Sequence, residues 1–431
     1  MTSGGRALLA LGGVVALAVG AVGAYLYGSM SSSSGATVNA AKVPPAELRL
    51  ERSDRAYPVT GVISANGAPL SDATVAFGDQ SIYTDSTGEY SLANVPLGGT
   101  VSVKHPGYMP TDVVFDGASD TMDVTLPPRV IRAIHISSTW AVNDAEIQRL
   151  IDLANVTTVN AFLFDAMGDD GFIDYNTKVQ AAIDHHMITD TPYDVSERLS
   201  QAKAAGLYTI IRVTAFANPL YVKAFPQQAL GGGFVDPANH DAWEYPLDLA
   251  VEACKLGFDE VNFDYIRYPS NFYAKTPLTE AGRVANIQAF LQEAANRLHA
   301  LGCAISANSF GGPTMVNNDY GIGQLIENFT IPLDVYAPMT YPELWKSPYF
   351  GFQDPPNHPK EVVAAQLDSA APRIAKTAIM RPWLRASFYP DNWISWQIQD
   401  AETRGLGWIM WSSFDSPFRV SSFPAGTTGA G

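Results

Sequence analysis

Polar and apolar residues alternate strictly over positions 260–265, within the segment 257–269. A β-strand points successive side chains to opposite faces, so the polar residues would share one face and the apolar residues the other. The polar face would carry Glu260, Asn262 and Asp264. In a parallel barrel such a row faces inward, and its last member lies at the carboxyl end, where barrel enzymes keep their active sites. The pattern therefore predicts that Asp264 lies at a functional site.

Asp264 also has a purely structural interpretation, as the cap of a turn or as the ion-pair partner of Arg267. Against it, three polar side chains on one face of an otherwise apolar strand would each need a buried partner in an inert core. That cost favours a site. We predict that Asp264 contributes chemistry and that Asn262 and Arg267 assist at the same place.

Strands and helices alternate from residue 129 onward, as a parallel sheet requires. Eight strands are predicted at 130–136, 157–164, 208–213, 260–264, 304–308, 333–338, 377–381 and 407–411. Helical patterns fall between them, including those at 144–154, 195–205, 243–255, 280–301 and 393–404. Eight such units predict an α/β fold, a (β/α)8 TIM barrel, over residues 128–431. A doubly wound open sheet is the alternative, but no glycine-rich phosphate loop follows the first strand.

Residues 55–127 follow a different pattern, with short alternating apolar runs separated by turn signals such as Asn66-Gly67 and Gly98-Gly99. Strands are predicted at 59–63, 74–77, 90–92, 100–104 and 122–126. This pattern is typical of a small all-β sandwich. The runs Gly61-Val62-Ile63 and His105-Pro106-Gly107-Tyr108 resemble the carboxypeptidase regulatory-like domain family. That resemblance implies a spacer or weak adhesion module without catalytic residues.

Residues 7–27 carry no charge and consist mostly of Ala, Leu, Val and Gly. An apolar run of this length can cross a bilayer as a helix. We predict that residues 1–28 form a transmembrane anchor, with a cleaved export signal as the alternative. Residues 29–54 would then be a flexible, Ser-rich linker. The rest of the chain would lie outside the cytoplasm at the cell membrane, or be secreted if the segment is cleaved.

The formal net charge of the 431-residue chain is −16. Nucleic acid and anionic lipid are polyanions that this charge repels, so neither is an expected partner, and membrane contact is expected only through the N-terminal segment. A neutral or cationic ligand fits better. Cys254 and Cys303 are too few for a disulfide framework and lack a metal-ligand spacing. We predict two small core residues, with a single disulfide between them as the alternative.

Polar and aromatic residues cluster at the carboxyl ends of the predicted strands. The residues expected to bind substrate there are His135, Trp140, Asn262, Arg267, Asn308, Tyr341, Trp383 and Trp411. Sugar rings stack their C–H faces on aromatic side chains, and their hydroxyls bond to carboxylates, amides and guanidinium groups. The mixture therefore predicts a polysaccharide or oligosaccharide substrate.

Hydrolysis of a glycosidic bond usually requires two carboxyl groups, one ionised and one protonated. Asp264 is the first candidate and Asp165 the second because it ends an apolar strand, while Glu343, Asp170 and Asp415 are further candidates, of which Glu343 is preferred. Retaining and inverting mechanisms both stay open. The histidines are scattered without a metal-ligand spacing, and no Gly-x-Ser-x-Gly motif is present. The sequence therefore predicts a glycoside hydrolase that needs no metal or other cofactor.

Two runs frame the fourth strand, Gly257-Phe258-Asp259-Glu260 and Phe263-Asp264-Tyr265-Ile266-Arg267-Tyr268-Pro269. With the segments 307–311, 337–342, 381–384 and 407–411, they resemble a family of glycoside hydrolase-like domains of unknown function. The resemblance implies a barrel and a sugar-cleaving ancestry without fixing a substrate. The strand is also similar to the acidic fourth-strand motif of chitinase-type hydrolases, which implies the terminal acidic role for Asp264.

Asn308 departs from the family that the barrel resembles, whose members typically carry Asp at the end of the fifth strand. An amide neither donates an acid proton nor attacks as a nucleophile. Either Asn308 only orients the sugar, or the protein has become a carbohydrate-binding barrel without activity. Non-catalytic binding therefore stands as the alternative to hydrolysis.

Overall fold

The computed structural model describes residues 55–270 and 278–426. The anchor predicted at 1–28 and the linker predicted at 29–54 lie outside these residues. Within the described ranges, no helix combines the length and apolar character that a bilayer span requires.

The barrel region contains one curled parallel sheet of TIM-barrel type. Its strands are Arg132–Ile136, Ala161–Asp165, Tyr208–Thr214, Glu260–Asp264, Ala304–Ser309, Val335–Pro338, Ile379–Met380, Trp383–Arg385 and Trp408–Trp411. The short segments Ile379–Met380 and Trp383–Arg385 are consecutive halves of the seventh strand, and the other strands are counted in chain order. Neighbours in the chain pair in the sheet, and the eighth strand pairs with the first. A bridge between Met339 and Trp383 joins the sixth strand to the seventh, so the pairing runs round the sheet.

Helices cover the outside of this sheet. They are Ser138–Ala141, Asp144–Val156, Gln180–Asp184, Val195–Ala204, Pro219–Ala224, Glu244–Leu256, Glu280–His299, Ile326–Phe329, Pro359–Ala370 and Asp391–Glu402. Two small two-stranded sheets lie in the connections, formed by Ile173–Tyr175 with Ile188–Tyr193 and by Ala229–Gly231 with Phe234–Val235. In the helix Asp144–Val156, the residues Ile147, Leu150 and Ile151 recur at helical spacing and are buried against the sheet.

Residues 56–125 form two small β-sheets around one apolar core. Their strands are Ala56–Ala65, Ala68–Pro69, Thr74–Phe77, Gln80–Tyr83, Glu89–Pro96, Thr100–Lys104, Thr111–Val114 and Val124–Thr125. The sequence prediction omits Ala68–Pro69, Gln80–Tyr83 and Thr111–Val114. These strands are short, and no residue in them is fully buried, so they lack a strong apolar alternation.

This β unit packs on the amino ends of the sixth and seventh barrel strands. Val335 and Ile379, from those strands, belong to the apolar core of the β unit. The hydroxyl of Tyr108 donates a hydrogen bond to the carbonyl of Thr377 at 2.5 Å. The β unit therefore lies at the end of the barrel opposite to the carboxyl ends of the strands.

The fourth strand begins at Glu260, whose carboxylate is fully buried inside the barrel. Nη1 of Arg381 donates to both Glu260 oxygens at 2.8 and 3.0 Å, and the Tyr208 hydroxyl donates to Oε2 at 3.2 Å. The predicted strand 377–381 ends at Arg381 and would put this residue at the mouth of the barrel, but the structure buries it at this lower level. The reason is that the seventh strand is interrupted at Pro382 and resumes, so Arg385 lies closer to its carboxyl end.

Cys254 and Cys303 form a disulfide, with their Cα atoms 5.9 Å apart. The prediction that both are simple core residues is therefore wrong, and the alternative of a single bridge is correct. Cys254 lies in the last turn of the helix Glu244–Leu256, and Cys303 precedes the fifth strand. The bridge ties this helix to the sheet across 49 residues of sequence.

Candidate active site

A cavity of about 430 Å³ opens at the carboxyl ends of the barrel strands. Its walls are formed by His135, Asp165, Gly168, Asp169, Arg212, Asp264, Tyr265, Met339, Tyr341, Glu343, Leu344, Trp383, Arg385 and Trp411. These residues come from or follow the first, second, third, fourth, sixth, seventh and eighth strands. All three carboxyl groups that the sequence nominates for catalysis, Asp165, Asp264 and Glu343, lie in this one cavity.

Arg212, from the third strand, binds three carboxylates at once. Its Nε donates to Asp264 Oδ2 at 2.7 Å, its Nη1 to Asp165 Oδ1 at 3.0 Å and its Nη2 to Asp169 Oδ1 at 3.2 Å. Burial alone would lower the pKa of this guanidinium, but the charges of Asp264, Asp165 and Asp169 raise it well above its usual value. Arg212 is therefore a permanent cation between the ends of the second and fourth strands.

Asp165 ends the second strand and is buried. Its Oδ2 lies 2.8 Å from Nε2 of His135, and its Oδ1 accepts the hydrogen bond from Arg212. Burial would raise the pKa of Asp165, but the charges of His135 and Arg212 and their hydrogen bonds hold it below its usual range. Asp165 is accordingly an ionised group that fixes the positions of His135 and Arg212.

Asp264 ends the fourth strand with both carboxylate oxygens engaged. Oδ2 accepts from Arg212, and Oδ1 accepts from the backbone N–H of Tyr265 at 2.7 Å. Tyr265 has a φ of 52°, a left-handed conformation that is rare for a residue with a Cβ. The structural alternative of an ion pair between Asp264 and Arg267 is incorrect, because the partner is Arg212.

Glu343 lies across the cavity in a short 3-10 turn, Pro342–Leu344. Nη1 of Arg385 donates to its Oε1, and the Tyr389 hydroxyl donates to its Oε2 at 3.3 Å. Burial raises the pKa of Glu343, and these hydrogen bonds offset only part of that effect. Glu343 therefore favours the protonated form more than an ordinary glutamate does.

Aromatic rings form the wall near Glu343. The rings of Tyr341 and Trp411 lie 6.2 Å apart, and the guanidinium of Arg385 lies 5.0 Å from the centre of the Trp411 ring. Trp383 meets the ring of His135 edge-on at 5.8 Å. Tyr341 and Trp411 are partly exposed and offer flat apolar surfaces of the kind on which sugar C–H faces stack, whereas Trp383 is buried.

A buried polar network lies beneath the cavity. Oδ1 of Asn308 accepts from Nδ2 of Asn262 at 3.0 Å and from Nε1 of Trp383 at 2.7 Å. Asn262 also donates to Oγ of Ser306 at 2.9 Å. The network holds the Trp383 indole in the wall of the cavity.

Residues 133–415 match the model of the family described as "Putative glycosyl hydrolase domain". The match spans more than half of the chain. The chain belongs to this family. No curated protein matches the sequence.

Among solved structures, the glycosyl hydrolase domain is similar to the PgaB (BpsB) glycoside hydrolase domain from Bordetella bronchiseptica, at 13% identity and a TM-score of 0.50 over 66% of this chain and 94% of that one. A hypothetical protein from Ruminiclostridium thermocellum is 29% identical over 40% of this chain and 96% of that one, with a TM-score of 0.36. A GH18 chitinase from Pseudoalteromonas aurantia is 15% identical over 66% of this chain and 94% of that one, with a TM-score of 0.41. The first likeness shows a common barrel fold.

The predicted substrate-binding residues of the glycosyl hydrolase domain fall into four groups. His135, Tyr341, Trp383 and Trp411 line the large cavity, whereas Arg267 and Asn308 line a smaller cavity beside it. Asn262 is fully buried below both. Trp140 lies away from both cavities, because it packs edge-on against Phe418 at 5.3 Å in the apolar core.

Two arginines of the glycosyl hydrolase domain were missed by the sequence reasoning, Arg212 and Arg385. Arg212 lies in the apolar run Thr209-Ile210-Ile211-Arg212-Val213. A single cation within an otherwise apolar strand was the sequence signal that could have identified it. Arg385 had no comparable signal, because Pro382 interrupts the strand to which it belongs.

Asp174 was not among the predicted site residues either. Burial and the charges of Asp165 and Asp170 raise its pKa to about 7, but it does not line the cavity.

No three His, Cys, Asp or Glu side chains within 55–270 and 278–426 are grouped so as to hold a metal ion.

Proposed function

We propose that the glycosyl hydrolase domain cleaves O-glycosidic bonds of a polysaccharide, with Asp264 and Glu343 as its two catalytic carboxyl groups. The observation that carries this proposal is the contrast between their environments. Both oxygens of Asp264 accept short hydrogen bonds, one from the Arg212 cation and one from a backbone N–H. Burial raises the pKa of Glu343, which favours its protonated form. A glycosidase requires this combination.

In this mechanism, Glu343 donates its proton to the oxygen of the leaving sugar. Asp264 either attacks the anomeric carbon or removes a proton from the attacking water. The anomeric configuration of the first product distinguishes these two roles, because attack by Asp264 retains the configuration and attack by water inverts it. Asp165 acts as a positioning residue, since it holds His135 and Arg212.

Carbohydrate binding without cleavage is the second candidate, and Asn308 favours it. The family that the barrel resembles typically has an acidic residue there, whereas this chain has an amide that holds Asn262 and Trp383. If that acidic residue were required for cleavage, the cavity would bind sugar without cleaving it.

We also propose that the domain acts outside the cytoplasm, at the cell membrane or after secretion. Support comes from the apolar segment 7–27 and from the disulfide between Cys254 and Cys303. Disulfides persist in oxidising compartments and are rare in the cytosol.

The test is a screen of the purified full-length chain against envelope polysaccharides and exopolysaccharides, with reducing ends as the readout. Hydrolysis predicts that at least one glycan releases reducing ends and that Asp264→Asn abolishes the release. Asp368→Asn breaks a surface ion pair with Arg404 and serves as the control. Glycan binding without release by the wild-type chain would favour the binding module.

A further inference from the structure

A second cavity, of about 100 Å³, adjoins the candidate active site. Asp264, Tyr265 and Met339 line both cavities, so the two are neighbours across the end of the fourth strand. Arg267, Asn308, Phe310 and Gln324 complete the smaller one. A group bound there would lie next to Asp264.

Arg267 differs from most arginines of the barrel. Thirteen arginines occur in residues 128–431, and eleven of them form an ion pair with Asp or Glu among the described residues. The twelfth, Arg129, lies 5.5 Å from the centre of the Tyr208 ring and donates to the Tyr108 carbonyl, away from the active-site cavity. Arg267 has no such partner within 55–270 and 278–426. Its guanidinium lies 5.0 Å from the centre of the Phe234 ring and 5.4 Å from that of Tyr265. Burial lowers its pKa, and the charges of Tyr265 and Asp264 offset only part of that effect.

Most of the hydrogen-bonding capacity of Arg267 is unused. A guanidinium has five N–H donors, and the structure shows one bond, from Nη1 to the Tyr268 carbonyl at 3.2 Å. The two aromatic rings hold the group in place without consuming its donors. A partly buried cation in this condition is stabilised when a ligand brings an acceptor with negative charge.

Asn308 contributes a second donor to the same cavity. Its Oδ1 accepts from the Trp383 indole, which can only donate, so the orientation of the amide is fixed. Nδ2 of Asn308 is therefore a donor, and it is buried without a partner among the described residues. An acceptor that enters the cavity would satisfy this group as well.

Other polar groups around the cavity are already engaged. Nε2 of Gln324 donates to the carbonyls of Ile266 and Asn308, and its Oε1 accepts from the N–H of Phe310. The Asp264 carboxylate is bound by Arg212 and Tyr265. Among the described residues, Arg267 and Asn308 are thus the two groups at the cavity with unused N–H donors, and no carboxylate forms an ion pair with Arg267.

We propose that this cavity binds a carboxylate on the glycan, so that the substrate of the glycosyl hydrolase domain is a polysaccharide containing acidic sugars. The inference rests on the proposed function and adds the substrate class. It revises the preference for a neutral or cationic ligand, which rests on the net charge of −16. Exposed charges more than about 8 Å away are largely screened at physiological ionic strength, so Arg267 governs binding at this point. A neutral acetamido carbonyl would satisfy Asn308 but leave the Arg267 charge uncompensated.

The experiment measures binding of the full-length chain to oligosaccharides of polygalacturonate, alginate and hyaluronan. Each is used as its natural acid and as its carboxyl-reduced form, which keeps the linkages and removes the charge. We expect at least one acid to bind about tenfold more tightly than its reduced form, because its carboxylate forms a charge-assisted hydrogen bond with Arg267 that the reduced form lacks. Arg267→Gln should abolish this preference while binding of the reduced form is unchanged, and Arg267→Lys should keep part of it.

Arg404→Gln is the matched control, because it removes a surface arginine that pairs with Asp368, and it should keep the full preference. The proposal is overturned if no acid binds more tightly than its reduced form. It is also overturned if Arg267→Gln weakens both forms equally, which would make Arg267 a general structural group.

Reducing-end release from the same panel separates this inference from the proposed function. A preference for acids without release would contradict hydrolysis and support the carboxylate site. Release from neutral glycans, with no preference for acids, would support hydrolysis and contradict the carboxylate site.

Discussion

Arg212 donates from Nε to Oδ2 of Asp264 at 2.7 Å, across two neighbouring barrel strands. The same guanidinium also binds Asp165, so the ends of the second, third and fourth strands share one cation. This arrangement holds the Asp264 carboxylate in one orientation at the edge of the cavity. It also means that removal of the Asp264 charge leaves Arg212 with two other carboxylates.

Asp264→Asn should therefore separate catalysis from stability. We expect turnover to fall on the order of 10³-fold, because an amide neither attacks nor accepts a proton. The free energy of unfolding should fall by only about 1–3 kcal/mol, since Arg212 keeps Asp165 and Asp169. Turnover on a responsive glycan and urea unfolding measure the two effects. A large loss of stability with full turnover per folded molecule would remove Asp264 from the catalytic pair.

Glu343→Gln should remove the proton donor. Turnover of natural glycans should fall about 10²–10⁴-fold, whereas aryl glycosides with good leaving groups, which need little protonation, should lose far less. Equal losses on both substrates would argue against an acid role for Glu343.

Glu343 should also make the rate of hydrolysis and the stability of the chain depend on pH. Burial raises its pKa above the ordinary value in the folded chain, so the wild-type rate should fall as pH rises through that raised pKa and the acid ionises. The contribution of Glu343 to the free energy of unfolding also falls as pH rises. It is fully present below the unfolded pKa and is lost as pH rises through the folded pKa. Both slopes should vanish in Glu343→Gln, which pH profiles of rate and of urea midpoint would show.

The sequence predicts the fourth strand to the residue because its period of two is unbroken from Glu260 to Asp264. It also predicts that Asp165, Asp264 and Glu343 converge, since carboxyl ends of parallel strands meet at one mouth. It could not predict the partners of these groups. Asp264 has Arg267 three residues away, yet it pairs with Arg212, which is 52 residues away. Which arginine pairs with Asp264 depends on which side chain points inward from the neighbouring strand.

The seventh strand shows how one residue misleads a sequence argument. Proline has no N–H to donate, so the predicted strand ends before Pro382 and puts Arg381 at the mouth. In the structure the strand resumes at Trp383, Arg381 pairs with Glu260 inside the barrel, and Arg385 donates to Glu343.

Trp140 does not line the cavity for a different reason. An aromatic residue after a strand can pack into the core as well as into a groove, and its periodicity does not distinguish these environments.

The disulfide between Cys254 and Cys303 should stabilise the chain chiefly by restricting the unfolded state. Replacing both residues with Ser should lower the free energy of unfolding by about 2–5 kcal/mol. Dithiothreitol should lower the melting temperature of the wild-type chain and leave that of the double variant unchanged. Equal sensitivity of both proteins to the reductant would show that the bridge is absent in solution.

Glu260 and Arg381 form an ion pair with side chains that are 0% and 1% exposed. Glu260→Gln should therefore lower the free energy of unfolding by about 3–5 kcal/mol, because it leaves the Arg381 cation buried without a counter-charge. Replacing both residues, as Glu260→Gln with Arg381→Met, should cost less than Glu260→Gln alone, since no buried charge remains. Urea unfolding of the two single variants and the double variant gives the coupling energy. If the two losses simply add, the pair is not coupled, and the buried charges are compensated by other groups.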